Sequence, residues 1–148
     1  MSKTLLFKIA TPEKVVFEAP AVDSISLPTK MGEITILPDH IPLVSVLVAG
    51  EIRVVVAGQE VVMAVSGGFI EVRPGQVIVL ADTAERVEEI DETRAEQARA
   101  KAKELMEQQK TVEAENYAGL TAKIEKELAR LKVVRKHKDR KTPSIHIE

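Results

Sequence analysis

The sequence predicts an all-β sandwich of roughly 8–10 strands, followed by a C-terminal antiparallel two-helix hairpin. Two observations lead to this prediction. Residues 1–84 contain six of the seven glycines and six of the seven prolines but only 15 charged side chains, as short strands joined by turns would. Residues 85–141 contain one glycine, no proline and 28 charged side chains, which is typical of long, solvated helices.

Alternating apolar residues indicate the strands in chain order. The alternating sets are Leu5, Phe7 and Ile9; Ile25 and Leu27; Ile34 and Ile36; Ile52, Val54 and Val56; and Val61, Met63 and Val65. The run Val77–Leu80 is apolar at every position, which predicts a strand buried on both faces. Just before it, Pro74 and Gly75 stand where a type II turn favours them, so this strand forms a hairpin with the preceding one.

The apolar period then changes to steps of three and four residues, which indicates helices. The first stripe is Ala95, Ala98, Ala102 and Leu105, and the second is Tyr117, Leu120, Ile124, Leu128, Leu131 and Val134. They predict helices over Asp91–Gln109 and Glu113–Lys138, folded back at a break near Lys110–Thr111. Because alanines bury little area, we expect the hairpin to be weakly held.

We divide the chain into a β-sandwich over residues 1–84, a helical hairpin over 85–141 and a tail over 142–148 without an assigned function. An acidic block (residues 85–96) opens the hairpin, and a basic block (130–141) closes it. Antiparallel helices bring these blocks together, each at the helix end that its charge favours. Since one exposed ion pair contributes only about 0.2–1 kcal/mol, we expect a hairpin that folds reversibly.

The composition disfavours several functional classes. The chain has no cysteine, no glycine-rich phosphate loop and no spacing that offers a metal site. His40 follows Asp39, but a turn-stabilising histidine is a better interpretation than a catalytic one. Nucleic-acid binding at the basic helix end is disfavoured, because no aromatic residues interleave there and the net charge is −2. Without a secretory signal or a long apolar run, we expect a soluble, cytosol-side protein.

Five segments carry a family resemblance. Gly32–Val44 resembles the GE-x-x-ILP-x-H-x-PLV stretch of the epsilon subunit of F-type ATP synthases. Thr11–Glu13, Ser66–Val72 and Leu80–Arg86 resemble further family segments in the same order, and Ile90–Ala95 resembles the [IL]DxxRA motif that opens the family's hairpin. The resemblance spans about residues 7–134. Thr35 and Asp39 depart from it, since glycine is common at both positions.

The resemblance implies a role that composition alone does not indicate. Members of this family are central-stalk rotor subunits that grip the gamma subunit and the membrane c-ring, and in many of them the extended hairpin inhibits ATP hydrolysis. It implies a non-catalytic subunit with no required cofactor and no nucleic-acid partner. We expect it at the cytoplasmic face of the bacterial plasma membrane, peripheral and attached only through the complex. The c-ring contact would fall on Pro28, Thr29, Lys30, Met31, Gly32 and Glu33.

The resemblance also implies two sets of residues in the hairpin. Some bacterial members bind a regulatory ATP between the folded helices, and the matching positions here are Glu85, Ile90, Asp91, Arg94, Ala95, Lys126 and Arg130. Lys126 replaces an arginine and lacks its planar fork. Alternatively, Asp91 and Arg94 simply cap and pair at a helix start. Contacts of the hairpin with the alpha and beta subunits would rest on Arg130, Arg135, Lys136 and Lys138.

A second functional class stays open from the sequence alone. The alternative to a stalk subunit is a free-standing ATP-sensing or nucleic-acid-binding module built from a sandwich and a helical hairpin. Co-purification with gamma, alpha and beta subunits distinguishes a stalk subunit from such a module. On either interpretation, the boundary between residues 84 and 85 is the expected hinge.

Overall fold

A computed structural model describes residues 3–108 and 114–141 of the chain. Ten strands come first: β1 Leu5–Ala10, β2 Val15–Val22, β3 Ser24–Thr29, β4 Gly32–Ile36, β5 Leu43–Leu47, β6 Gly50–Val56, β7 Gln59–Val65, β8 Gly68–Arg73, β9 Gln76–Ala81 and β10 Ala84–Arg86. A 3-10 turn (Val87–Glu89) leads to helices α1 Glu92–Gln108 and α2 Ala114–Lys141. The predicted fold class is confirmed.

The strands form one curled sheet in the order β10-β7-β6-β3-β5-β8-β9-β1-β2, with β4 paired to β3 outside this path. All pairs are antiparallel except β1 with β9. β2 also lies against β6, which is not its neighbour in the sheet, because the sheet folds over a common core. The predicted boundary between residues 84 and 85 falls inside β10, which pairs with β7.

The alternating residues predicted to share a face do line the core of the sandwich. Phe7, Ile9, Ile25, Ile52 and Val54 are fully buried there. Such alternation is typical of sheets with one buried face. Burying these aliphatic side chains contributes about 1.5–3 kcal/mol each, which makes this core the main stabilising element.

The outer faces of β9 and β7 are covered differently from what the sequence pattern predicts. The prediction that Val77–Leu80 is buried on both faces is wrong, because Leu80 is 59% exposed while Val77 and Val79 are buried. The outer face of β9 therefore faces solvent. β7 is the strand covered on both sides, since Val62 and Ala64 on its outer face are buried under α2.

The hairpin is antiparallel, with the start of α1 beside the end of α2. Ala95 and Ala102 are buried along α1 as predicted. The prediction for Leu128 is wrong: it is 40% exposed, whereas Glu127 is 4% exposed. α2 contacts both α1 and the sandwich, so its buried surface is rotated and wider than one stripe. The predicted break at residues 110–111 and the Tyr117 side chain lie outside the described part of the chain.

Most of the described residues with a left-handed backbone are glycines, and Asp39 and Ala57 are the others. Gly75 has φ of 73°, as the third position of the predicted β8–β9 turn requires. Asp39 has φ of 68°, a conformation that aspartate tolerates better than most residues. At Gly68, φ is 137° and an added Cβ would lie 2.0 Å from the Leu80 carbonyl oxygen. Gly68 thus avoids a clash with the β9 backbone where β8 begins.

We expect Gly68→Ala to lower the free energy of unfolding by about 3 kcal/mol, because backbone strain adds to overpacking against β9. Gly75→Ala is the matched control: its φ is also positive, but its added Cβ meets nothing within 4 Å. We expect this control to cost only about 1 kcal/mol. Urea denaturation of both variants measures the difference, and equal costs would contradict the crowding at Gly68.

Candidate functional site

The helical hairpin meets the sandwich where α2 lies on the outer face of β7. Val133 and Val134 of α2 pack on Val62 and Ala64 of β7, and Val87 of the 3-10 turn completes this cluster. Ile90 packs against its edge. The contact is apolar and small compared with the sandwich core. We call it the docking cluster.

Arg130 connects α2 to β10 at the end of the docking cluster. Its Nε lies 2.6 Å from Glu85 Oε2, and its Nη1 donates to Glu127 Oε2 at 2.8 Å. Glu127 is nearly fully buried, so its charge depends on this arginine. The predicted pair Glu85 and Arg130 is thus brought together across 45 residues of sequence.

The other predicted nucleotide residues take different roles. The Asp91 carboxylate accepts a hydrogen bond from the Arg94 amide at 3.0 Å, which caps the start of α1. Ile90 and Ala95 pack as apolar residues. Lys126 lines an open cleft whose wall carries four acids: Glu13, Asp82, Glu85 and Glu89. The described geometry assigns capping and packing to the α1 residues and leaves ATP binding a prediction.

The acidic and basic blocks meet as the antiparallel hairpin predicted. Arg135 lies 3.3 Å from Glu92 and also donates to Glu96, and Lys138 donates to Glu92. The Lys138 ammonium is the main cause that lowers the pKa of Glu92 below its usual value, and Arg135 adds to it. We call these four residues the hairpin clasp.

Two further cations hold α2 to the sandwich. Lys136 Nζ lies 3.3 Å from Glu51 Oε2 on β6, and Arg140 Nη1 lies 2.7 Å from Glu60 Oε1 on β7. Together with Arg130, Arg135 and Lys138, every residue predicted to contact the catalytic subunits is paired within the chain. Of these five cations, Arg130, Lys136 and Arg140 pair with the sandwich and lose those partners when α2 leaves it, whereas Arg135 and Lys138 pair with α1.

The predicted c-ring contact is the tip of the β3–β4 hairpin. Lys30 and Met31 form its two-residue turn, and Met31 is 94% exposed. Thr29 is buried and fixes the turn, because its hydroxyl donates to the Gly32 carbonyl at 2.7 Å and accepts from the Met31 amide. Pro28 packs beside Gly50, where a side chain would crowd it.

Glu33 lies at the base of this tip and is not an isolated acid. Its Oε1 lies 2.5 Å from Arg53 Nη2 on β6, and about half of the Glu33 side chain is exposed. Any basic group that approaches Glu33 therefore competes with Arg53. His40 is a turn residue: its Nδ1 lies 2.7 Å from the Ile41 carbonyl oxygen.

Sequence reasoning missed an uncovered apolar surface on the sandwich. Val44 and Val46 of β5, Phe69 of β8 and Leu80 of β9 are 42–73% exposed on the outer face of three adjacent strands. Val46 pairs with Phe69, and Phe69 pairs with Leu80. Contiguous apolar area of this kind marks interaction sites. The signal was the unbroken apolar run of β9, which we read as burial within the chain. We call this surface the apolar face.

The described residues limit other chemistry. Among residues 3–108 and 114–141, no three histidine, aspartate or glutamate side chains cluster as metal ligands. Neither described helix has a segment that is long and apolar enough to span a membrane.

Comparison with known families identifies the chain. Residues 4–87 match the model of the ATP synthase, Delta/Epsilon chain, beta-sandwich domain, and residues 88–135 match its long alpha-helix domain. The chain belongs to the ATP synthase delta/epsilon chain family. The predicted family is confirmed, and the two matches meet at the 3-10 turn between the sandwich and the hairpin.

Curated relatives cover nearly the whole chain. The ATP synthase epsilon chain of Chloroflexus aggregans is 45% identical over 137 residues, which are 93% of this chain and 96% of the relative. The ATP synthase epsilon chain of Dehalococcoides mccartyi strain BAV1 is 43% identical over 141 residues, 95% and 98% of the two chains. These relatives support the epsilon type within the family.

Solved structures share the fold at lower identity. A chain of the Euglena gracilis mitochondrial ATP synthase structure with OSCP, F1 and the c-ring superposes with a TM-score of 0.67 at 21% identity, covering 96% of this chain and 84% of that chain. A chain of the Tetrahymena thermophila mitochondrial central stalk and c-ring gives 0.58 at 12%, covering 92% and 97%. These likenesses show the fold.

We expect Lys138→Gln to raise the pKa of Glu92, and to raise it more than Arg135→Gln does, because Lys138 is the main cause that lowers it. The folded-state pKa lies below the unfolded one, so the clasp's stabilisation is present above the unfolded pKa and is lost as pH falls through the folded one. NMR titration of the Glu92 carboxyl carbon measures both effects. Arg140→Gln, whose partner is Glu60, is the control and should change nothing; an unmoved pKa in Lys138→Gln would refute the clasp.

Proposed function

We propose that this chain is the non-catalytic epsilon subunit of a proton-translocating ATP synthase, located in the central stalk at the cytoplasmic face of the bacterial membrane. It attaches to the membrane only through the complex. The observation that carries the proposal is the match of both family domains in series over residues 4–135. A sandwich with one uncovered apolar face and a hairpin held by few contacts suits a subunit that binds and moves. Catalysis belongs to other subunits.

The apolar face is the proposed contact with the gamma subunit. Phe69 and Leu80 are each about 60% exposed, so a partner that covers them removes two large apolar side chains from water. Each such burial stabilises a complex by about 1.5–3 kcal/mol. No described part of this chain covers the face, which supports a protein partner.

We expect the double variant Phe69→Gln and Leu80→Gln to reduce co-purification with the gamma subunit by about ten-fold or more, because large apolar anchors dominate interfaces. Val15→Gln is the matched control, since Val15 is an exposed apolar residue outside this face. Full recovery of gamma, alpha and beta subunits with the double variant would place the contact elsewhere. Absence of these subunits from the unmodified chain would favour a free-standing module instead.

The β3–β4 tip is the proposed contact with the c-ring. Its residues are Pro28, Thr29, Lys30, Met31, Gly32 and Glu33, and the last four of them are exposed. Met31 supplies exposed apolar area, and Glu33 supplies a carboxylate for basic groups of the ring's polar loops. The buried hydroxyl of Thr29 holds the turn in one shape, which lowers the entropy cost of binding.

We expect Glu33→Lys to lower ATP-driven proton pumping by a reconstituted complex several-fold, because a like charge at an interface repels its partner. Glu18→Lys is the control, as Glu18 is an exposed acid on β2, away from the tip. Unchanged pumping per ATP hydrolysed with Glu33→Lys would argue against this contact.

Inhibition of ATP hydrolysis is the proposed role of α2 once it leaves the sandwich. Arg130 and Lys136 would then lose their partners on the sandwich, and together with Arg135 and Lys138 they would face acidic surfaces of the alpha and beta subunits. The ion pairs that hold them now are mostly exposed and contribute about 0.2–1 kcal/mol each. α2 spans 28 residues, about 42 Å of helix, which is enough to reach a distant surface.

We expect deletion of residues 113–148 to raise ATPase activity several-fold while subunit stoichiometry stays intact, because it removes the basic block. Deletion of residues 142–148 alone is the control, and it leaves the basic block in place. A flat activity in the longer deletion would exclude α2 as the inhibitor. An equal rise in the shorter one would transfer the role to the tail.

A regulatory ATP is a secondary proposal. Lys126 and Arg130 are the cations proposed for this site, but Arg130 is paired with Glu85 and Glu127, and Lys14 also lines the cleft beside Glu85. The phosphates of ATP would have to displace Glu85 from Arg130, and the acids of the neighbouring cleft would oppose them. Binding would therefore occur with a changed contact between α2 and β10.

A further inference from the structure

Four charged residues of alternating sign connect the β3–β4 tip to α2. In order they are Glu33 on β4, Arg53 and Glu51 on β6, and Lys136 on α2. Arg53 Nη2 lies 2.5 Å from Glu33, Arg53 Nε lies 3.5 Å from Glu51 Oε1, and Lys136 lies 3.3 Å from Glu51 Oε2. We call this series the charge chain. Its two ends are exposed, and its two middle side chains are largely covered.

Arg53 is shared unequally between its two acids. Its short contact is with Glu33, while Glu51 Oε1 is buried and accepts no hydrogen bond from any described residue. A buried carboxylate oxygen without a donor is costly, so Glu51 gains from any closer approach of Arg53. Glu33 opposes that approach because it holds the guanidinium at its own side.

The attraction of Lys136 to Glu51 depends on whether Glu33 or Glu51 holds Arg53. When Glu33 holds Arg53, the charge of Glu51 is available to Lys136 and favours docking of α2. When Glu33 is withdrawn, Arg53 moves to Glu51, neutralises it and repels Lys136. We propose that the β3–β4 tip and the docking of α2 are linked through this chain, so that a cationic side chain of a partner that takes Glu33 weakens α2 docking.

The linkage is reciprocal by thermodynamic necessity. Loss of α2 leaves Glu51 to Arg53, which frees Glu33 and strengthens its binding to an external cation. The two ends lie on separate elements, Glu33 on β4 of the sandwich and Lys136 near the end of α2. The linkage concerns this chain alone and does not depend on which subunit supplies the cation.

A cysteine reporter on β7 tests the proposal in the full chain. The sequence contains no cysteine, and Val62→Cys is close in volume to the native residue and is covered by α2. Its labelling rate by a neutral thiol reagent, relative to the rate in denaturant, measures how often α2 leaves. Ala129→Cys on α2 provides a second reporter, and Val54→Cys in the sandwich core reports global unfolding.

The proposal predicts opposite signs for two neighbouring substitutions. We expect Glu33→Gln to speed labelling at residue 62 about two- to five-fold, because Arg53 then neutralises Glu51. We expect Arg53→Gln to slow labelling, because Glu51 is left to Lys136 alone. A purely disruptive effect would speed labelling in both variants, and that result would overturn the proposal.

The effect of Glu33→Gln is then measured in a second variant and at high salt. In a Lys136→Gln chain that also carries Lys132→Gln, Glu33→Gln should have no effect on labelling, because the two α2 cations that line the cleft with Glu33 and Glu51 are then absent. At 1 M salt, where screening acts within about 3 Å, the effect of Glu33→Gln should shrink. Glu71→Gln is the matched control, because it breaks the exposed Arg73–Glu71 pair on β8, away from α2. An effect of Glu33→Gln that persists with Lys132→Gln and Lys136→Gln, or equals that of Glu71→Gln, would refute the linkage.

Discussion

The docking of α2 on the outer face of β7 is the contact on which the other features of this chain depend. It buries Val62 and Ala64, which would otherwise be an exposed apolar strip on a strand whose inner face already lines the core. It also places the cations of α2 beside the acids of α1, β6, β7 and β10. Without this contact the sandwich keeps its own core, whereas the hairpin loses one of its two packing partners.

The contact combines a small apolar area with many ion pairs, and this balance has a physical consequence. Apolar burial supplies affinity without direction, and ion pairs at the rim fix the orientation while adding little net stability. The exception is Glu127, which is buried and paired with Arg130. When α2 leaves β10, Arg130 and Glu127 stay on the same helix and can keep their pair in solvent. The helix can therefore undock without stranding a buried charge.

The sequence predicted the strands and helices, because their side-chain periods are local. It did not predict which of their faces are covered, because that depends on how the elements pack together. Alternation at Leu5, Phe7 and Ile9 identified a half-buried strand because the side-chain period of a strand is local. Leu80 and Leu128 were misplaced because the burial of a side chain depends on what covers its face: no described part of the chain covers Leu80, and α2 packs on two neighbours, so its buried surface is rotated away from Leu128. The pair of Glu51 and Lys136 joins residues far apart in sequence, so no spacing could indicate it. Asp91 caps the start of α1, which is the role that the capping interpretation gave it.

Separate domains with a narrow charged junction can respond to each other without a large shared core. The sandwich carries two proposed binding surfaces, the apolar face and the β3–β4 tip, and both are rigid because they are built from paired strands. The hairpin carries the charges, and those charges face the sandwich only while α2 is docked. Glu51 is shared between Arg53 of the sandwich and Lys136 of α2. A change at Glu33, which holds Arg53, therefore alters the free energy of α2 docking by a fraction of its total. A bias of that size matters only if docking itself is marginal, which is what a contact of five small apolar side chains and exposed ion pairs provides.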